Sequence, residues 1–161
     1  MVSATGNAGY IVARQLGERV EIIRGLENLL GILGTQVDYA LTPFPDALLT
    51  AGRISAPAIR GFCGSVLKEL KRGKPLEIAW REGVEALLER TPLRAEDVEA
   101  LWGLAPVLGV SDRKDQVRHL QLAQELLRQR QGAAEAEAKN NQKLWRSAGV
   151  LIGLMAVLLL L

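Results

Sequence analysis

Apolar positions recur at steps of three and four along most of the chain. Leu16, Val20, Ile23, Leu26, Leu30, Leu33 and Val37 share one face, and this spacing predicts a long first helix from about Ala8 to Leu41. Gly17, Gly25, Gly31 and Gly34 interrupt it, each costing roughly 1 kcal/mol relative to Ala in an exposed helix. Close approach of another helix is the usual compensation, so the segment reads as packed rather than free. Thr42-Pro43-Phe44-Pro45 stops it. Thr42 suits an N-cap and Pro43 the first position of a short helix through Ala47, Leu48 and Leu49, ending near Gly52.

Pro57 opens the next helix, with the stripe Ile59, Phe62, Cys63, Val66, Leu67 and Leu70 and a stop at Gly73. Pro75 starts another, with Leu76, Trp80, Val84, Leu87 and Leu88 on one side. Thr91-Pro92 repeats the cap chemistry of Thr42-Pro43, as an internal repeat or as convergent capping. Val98, Leu101, Trp102, Ala105 and Leu108 form a fifth stripe, bent at Pro106. Gly109 fits a C-cap and Ser111 an N-cap, with Asp112 and Asp115 in the first turn of a last helix. That helix meets no stop signal. Its middle, Gln131 to Gln142, is rich in Ala, Glu, Gln and Asn and reads as a solvated stalk. No stretch alternates with period two beside turn signals, so the expected fold is all-α, a single bundle of about five to six helices.

The end of the chain changes the picture. Residues 147–161 carry no charge and are apolar all round, unlike an interfacial amphipathic helix. At about 1.5 Å per residue they span about 22 Å, short of the roughly 30 Å hydrocarbon core, which by length alone favours a buried helix. Trp145 stands where an interfacial anchor belongs, and Lys143 and Arg146 can snorkel and extend the span. Nine strongly apolar residues contribute on the order of −4 kcal/mol toward insertion. The segment is therefore expected to be a transmembrane anchor, with the bundle on the cytoplasmic side by the positions of Lys143 and Arg146. Gly149 and Gly153 make a G-x-x-x-G pair, either a close-approach site for another membrane helix or two glycines of the kind such helices commonly carry.

Composition and charge add limits. A chain of 161 residues holds one domain with a real core, and its 48% apolar content is globular. The formal net charge of +2 gives no whole-chain argument for nucleic acid. Between Arg113 and Arg146, eight basic side chains stand against four acidic ones, a balance that fits anionic headgroups or a plain solvated face better than a nucleic-acid arm. The single cysteine, Cys63, can form neither an internal disulfide nor a metal site alone, which points to a reducing compartment. Met1 to Ala13 lacks the basic and apolar regions of a signal peptide.

Catalytic chemistry finds little support. His119 is the only histidine, lies mid-helix near Arg113 and Arg118, and makes a poor general base. No G-x-G-x-x-G, G-x-x-x-x-G-K-[ST] or H-E-x-x-H occurs. Gly61-Phe62-Cys63-Gly64 reads as packing positions, and Glu135 and Glu137 as solvated. No enzyme activity and no cofactor is expected.

Three stretches carry a resemblance. They are Gln36-Val37-Asp38-Tyr39-Ala40-Leu41-Thr42-Pro43-Phe44-Pro45-Asp46-Ala47-Leu48, Leu108-Gly109-Val110-Ser111-Asp112-Arg113 followed by Gln116 and His119, and Asn141-Gln142-Lys143-Leu144-Trp145-Arg146-Ser147. Together they resemble the stage III sporulation protein AB family of endospore-forming bacteria, with Ala40 and Phe44 where that pattern has glycine and leucine. The resemblance implies a mother-cell membrane component of the channel complex joining mother cell and forespore. It implies a helical domain similar to the cytoplasmic domains of type II secretion platform proteins. The implied partners are a secretion-type ATPase and other membrane subunits, with an oligomer possible. The family has a membrane segment at each end. Met1 to Ala13 reads as the remnant of the first, with the true start expected upstream.

The expected organisation is a truncated membrane segment over 1–13, a helical cytoplasmic domain over 14–130, a stalk over 131–146 and an anchor over 147–161. Thr42, Pro43, Ser111, Asp112 and Arg113 are the expected contact residues. Trp145, Arg146, Gly149 and Gly153 are the expected anchor residues. The alternative is a tail-anchored adaptor for soluble partners, unrelated to sporulation.

Overall fold

The computed structural model describes the backbone of residues 2–108 and 110–160, and side chains from Ile11 onward except at 109, 145, 146, 149–154 and 156–161. Among the described residues all regular structure is helical. The elements are α1 (Val2–Asp38), α2 (Phe44–Ile54), α3 (Pro57–Lys71), α4 (Leu76–Arg90), a 3-10 turn (Ala95–Asp97), α5 (Glu99–Leu104) and α6 (Arg113–Leu160).

The long helices α1 and α6 form the most extensive pairing in the molecule. They run antiparallel: Arg19 meets Glu137, Glu27 meets Arg128, and Gly31 faces Gln124. The remaining helices pack in the order α2 on α1, α3 on α2 and α4 on α3, while α5 lies on α6. The predicted stripes are the core. Ile23, Leu26, Leu30, Leu33, Ile59, Val66, Trp80, Val84 and Leu101 are buried almost completely. Trp80 is the central side chain. Phe62 and Phe44 pack edge-on against it at 5.0 and 5.9 Å, and its indole N–H donates to the Leu101 carbonyl at 2.8 Å, tying α4 to α5. Such aromatic pairs add about 0.5–1.5 kcal/mol each beyond the area they bury.

Two glycines of α1 are there because a neighbour comes close. A Cβ on Gly25 would fall 2.8 Å from Ile59, and one on Gly31 would fall 2.9 Å from the Gln124 amide. Gly17 and Gly34 have nothing within 4 Å, so packing explains only half of the four. Gly61 and Gly64 are likewise open, and the packing expected of that stretch falls to Phe62 and Cys63 alone.

Several ends differ from the sequence expectation for identifiable reasons. Pro43, not Thr42, caps α2: its carbonyl accepts from the Asp46 and Ala47 N–H groups at 3.0 Å, and Thr42 instead folds back on Gln36. Asp112, not Ser111, caps α6: its Oδ1 accepts from the Asp115 N–H at 2.8 Å and its carbonyl takes the first helical bond from Gln116. Thr91 closes α4 rather than opening a helix, with its hydroxyl donating to the Leu87 carbonyl. The stripe Val98–Leu108 is a six-residue helix and a turn, entered from the 3-10 turn, because the three-residue bonds of Asp97 and Val98 and the turn at Ala105 break its continuity. Gly73 does close α3, at φ 84°, with the Lys74 N–H on Glu69 and the Gly73 N–H on Leu70 completing the six-to-one and five-to-two bonds of a Schellman end.

Backbone helix continues through 147–160 without a break. Among the described residues no helix is long and apolar enough to cross a membrane. The expected anchor side chains Trp145, Arg146, Gly149 and Gly153 lie outside the described residues, as does the expected C-cap Gly109.

Candidate functional site

The antiparallel pairing of α1 and α6 decides where the expected contact residues go. The C-terminal end of α1 lies beside the N-terminal end of α6, where Asp38, Tyr39, Val117 and Gln121 line one hollow. The turn after α1, holding Thr42 and Pro43, and the corner before α6, holding Ser111, Asp112 and Arg113, are therefore brought to the same end of the molecule, the tip. Thr42 is half-buried, with its N–H donating to the Gln36 carbonyl at 3.2 Å. Ser111 closes the preceding turn through its N–H to the Val107 carbonyl, and Gln116 Nε2 donates to the Ser111 carbonyl. Asp112 and Pro43 are exposed, and their caps occupy them.

Arg113 differs from these. It is exposed, it is the first residue of α6, and among the described residues no carboxylate comes within 4 Å of it. A cation at a helix N-terminus opposes the macrodipole, by about 0.3–1 kcal/mol. The tip also carries three residues that sequence reasoning passed over. Tyr39, Leu41 and Val110 are exposed by 83, 65 and 82%, and Tyr39 and Val110 are the two most solvent-exposed large apolar side chains among those described. Leu41 sits at φ 54°, a left-handed conformation costing a non-glycine residue roughly 1–2 kcal/mol. Their signal was visible in outline, as apolar residues inside turns, but turns also hide such residues against the core.

A second charged centre lies where α1, the 3-10 turn and α6 meet. Arg19, 4% exposed, pairs side-on with the fully buried Asp97 through Nε and Nη2, and its Nη1 reaches Glu137 at 2.8 Å. Arg94 grips Glu137 from outside, and the Arg94 N–H donates to Asp97. The bond to Asp97 holds the Arg19 guanidinium charged, against the opposing cost of burial. Burial pushes the Asp97 carboxyl up, but Arg19 and the Arg94 N–H outweigh it and leave it below its ordinary value. Glu137 is likewise held low, first by Arg94 and then by Arg19. Glu135 bonds to Gln131 and Arg24. Neither carboxylate is merely solvated, because both face α1 across the helix pair.

His119 is half-buried, with its ring held by its own helix. Its Nδ1 is bonded to the Asp115 carbonyl at 2.8 Å, one turn back on α6. It borders a groove with Glu99, Leu122, Leu126 and Arg130, away from the Asp112–Arg113 corner. Among the described residues no group of three His, Cys, Asp or Glu side chains is arranged to hold a metal ion.

Comparison with known proteins agrees with this architecture. The family model described as stage III sporulation protein AB matches residues 1–161. Stage III sporulation protein AB of Bacillus subtilis (strain 168) is 28% identical over 162 residues, covering 100% of this chain and 95% of that one. A solved structure of stage III sporulation protein AB superposes with a TM-score of 0.69, covering 76% of this chain and 97% of that one. At 24% identity this last likeness shows the fold. With the family model covering its whole length, the chain belongs to the stage III sporulation protein AB family.

Proposed function

We propose that the protein is a non-enzymatic membrane platform of the sporulation channel complex, attached at one end of the α1/α6 pair and engaging a cytoplasmic secretion-type ATPase at the other. Membership in a sporulation family supports the setting and argues against an adaptor unrelated to sporulation. The antiparallel pairing supports the division of labour. The uncharged residues 2–13 begin α1 and the uncharged residues 147–160 end α6, so both belong to the end opposite the tip. Residues 147–161 insert as an anchor, with Lys143 and Arg146 on the cytoplasmic, mother-cell side. Other membrane subunits meet the protein through this end.

The observation that carries the ATPase contact is Arg113. It stands against the helix dipole without a carboxylate partner among the described residues, at the same end of the molecule as exposed Tyr39, Leu41 and Val110. A charged side chain flanked by apolar anchors is the composition of an interface centre. The test is Arg113→Glu. An acid at this position suits the helix terminus, so the variant keeps its helicity and stability. The expected result is loss of association with the ATPase in a pull-down from sporulating cells, while the variant stays folded. A folded variant that associates like the wild type would overturn the assignment of the tip.

A further inference from the structure

The outer sides of α3 and α4 carry opposite charge. From Pro57 to Lys74 there are five basic residues and one acidic residue, and from Leu76 to Arg90 four acidic and two basic. On α3, Arg60, Gly64, Lys68 and Arg72 follow one another at steps of four and all are exposed, with Lys71 beside them. On α4, Glu77, Arg81, Glu85 and Glu89 form a row at the same step, in which Arg81 pairs with Glu77 and the net negative charge is carried by Glu85 and Glu89, with Ile78 44% exposed next to it. Each row is about 18 Å long at ~1.5 Å per residue. The one acid of the α3 stretch, Glu69, is mostly covered and pairs with Arg72 at the end of the row and with Lys74, which leaves Arg60, Lys68 and Lys71 as the free charges of the stretch among the described residues.

The two rows are adjacent. Gly61 and Ser65 of α3 line one hollow with Ala86 and Arg90 of α4, and Lys74 bridges to Glu82 at 2.6 Å. Several charges of the rows are unused. Among the described residues Arg60, Lys68 and Lys71 have no carboxylate within 4 Å, and Glu85 and Glu89 have no basic partner. The basic face is also smooth, because nothing comes within 4 Å of a Cβ position at Gly61 or Gly64. A facing helix could approach closely there.

We infer that this layer is a self-association surface, in which the basic α3 row of one copy lies over the acidic α4 row of a second copy. Side-by-side rows of opposite charge and equal length are self-complementary. A two-fold axis running between α3 and α4 places each row on its opposite twice, which is the isologous arrangement of a closed dimer. The antiparallel sense of α3 and α4 carries over, so helix dipoles also oppose favourably across the interface. Exposed ion pairs are individually weak and screened, so the association is salt-sensitive and is strengthened where copies are concentrated.

The test is a charge swap in the full-length chain in detergent, read by sedimentation equilibrium. The wild type dimerises at roughly 0.1 M salt and dissociates toward 1 M, as the screening length falls from about 10 to about 3 Å. Lys68→Glu/Lys71→Glu and Glu85→Lys/Glu89→Lys each weaken self-association by about tenfold or more, because like rows then face each other. An equimolar mixture of the two variants restores dimers, since both contacts of the mixed pair are complementary again. Circular dichroism checks that each variant is folded, as exposed positions predict. The inference fails if the wild type is monomeric at low salt, or if folded variants do not rescue one another on mixing. It also fails if only the α3 variant loses association, which would point to an acidic partner or an anionic surface instead.

Discussion

Arg19 and Asp97, separated by 78 positions in sequence, meet in a two-bond guanidinium–carboxylate pair at 2.7 and 2.8 Å, inside the junction of α1, the 3-10 turn and α6. A helix pair could slide along its axis at small cost if only leucines filled its seam. A buried bidentate pair has one geometry. With Glu137 on the remaining nitrogen of Arg19, it fixes the height of α6 against α1 and holds the turn before α5 to both.

Removing one partner strands the other charge. Arg19→Met should destabilise the fold by about 3–5 kcal/mol, and Arg19→Met/Asp97→Leu should recover more than half of that loss. Urea unfolding of the two variants checks it. A loss below about 1 kcal/mol for the single variant would show that the junction is hydrated and that the pair does not set the register.

The same junction gives a pH dependence. Asp97 and Glu137 have folded-state values below their ordinary ones, so the unfolded chain binds protons first as pH falls. Their contribution is complete above the ordinary carboxylate range, near pH 5 and up, and is lost as pH drops through about 4 and below. Arg19 stays charged throughout and adds no slope. Thermal unfolding between about pH 7 and pH 3 should therefore be flat and then fall, and Asp97→Asn should fall less steeply than the wild type.

Two glycines should respond to alanine with opposite sign. At Gly83 a Cβ would lie 2.5 Å from Val66 Cγ2 and 3.3 Å from Phe62, so Gly83→Ala should cost about 1–3 kcal/mol by overpacking the α3/α4 contact. At Gly17 nothing lies within 4 Å, and Gly17→Ala should stabilise α1 by up to about 1 kcal/mol. Paired denaturation curves decide this.

Cys63 is buried under Gly52, and burial pushes its thiol up to about 12. At pH 8 the thiolate is then on the order of one part in ten thousand. Iodoacetamide should leave the native chain unmodified over hours and label it fully in denaturant. Rapid native labelling would mean that the α2/α3 contact opens.

Much of this architecture was legible along the chain. The stripe Leu16 to Val37 is the buried face of α1, and Ile59, Phe62, Cys63 and Val66 bury as their spacing requires. Helix ends were less legible, because Thr42, Ser111 and Asp112 all have capping chemistry and the choice rests on backbone direction. The junction could be half seen. Arg19 falls on the apolar face between Leu16 and Ile23, a place where a charge requires a partner. Nothing local identifies Asp97 as that partner, since the pairing depends on how α6 and the 3-10 turn come together. At the tip, the sequence pointed to Arg113, but the exposure of Tyr39, Leu41 and Val110 follows only from how the two corners meet.

Attachment of the α1/α6 pair to the membrane is the claim on which the platform reading stands. Alkaline carbonate extraction of membranes from cells producing the full chain, beside a chain lacking residues 147–161, tests it most directly. The full chain should stay with the lipid pellet and the shortened chain should be released in folded form. Release of the full chain into the supernatant would contradict the account.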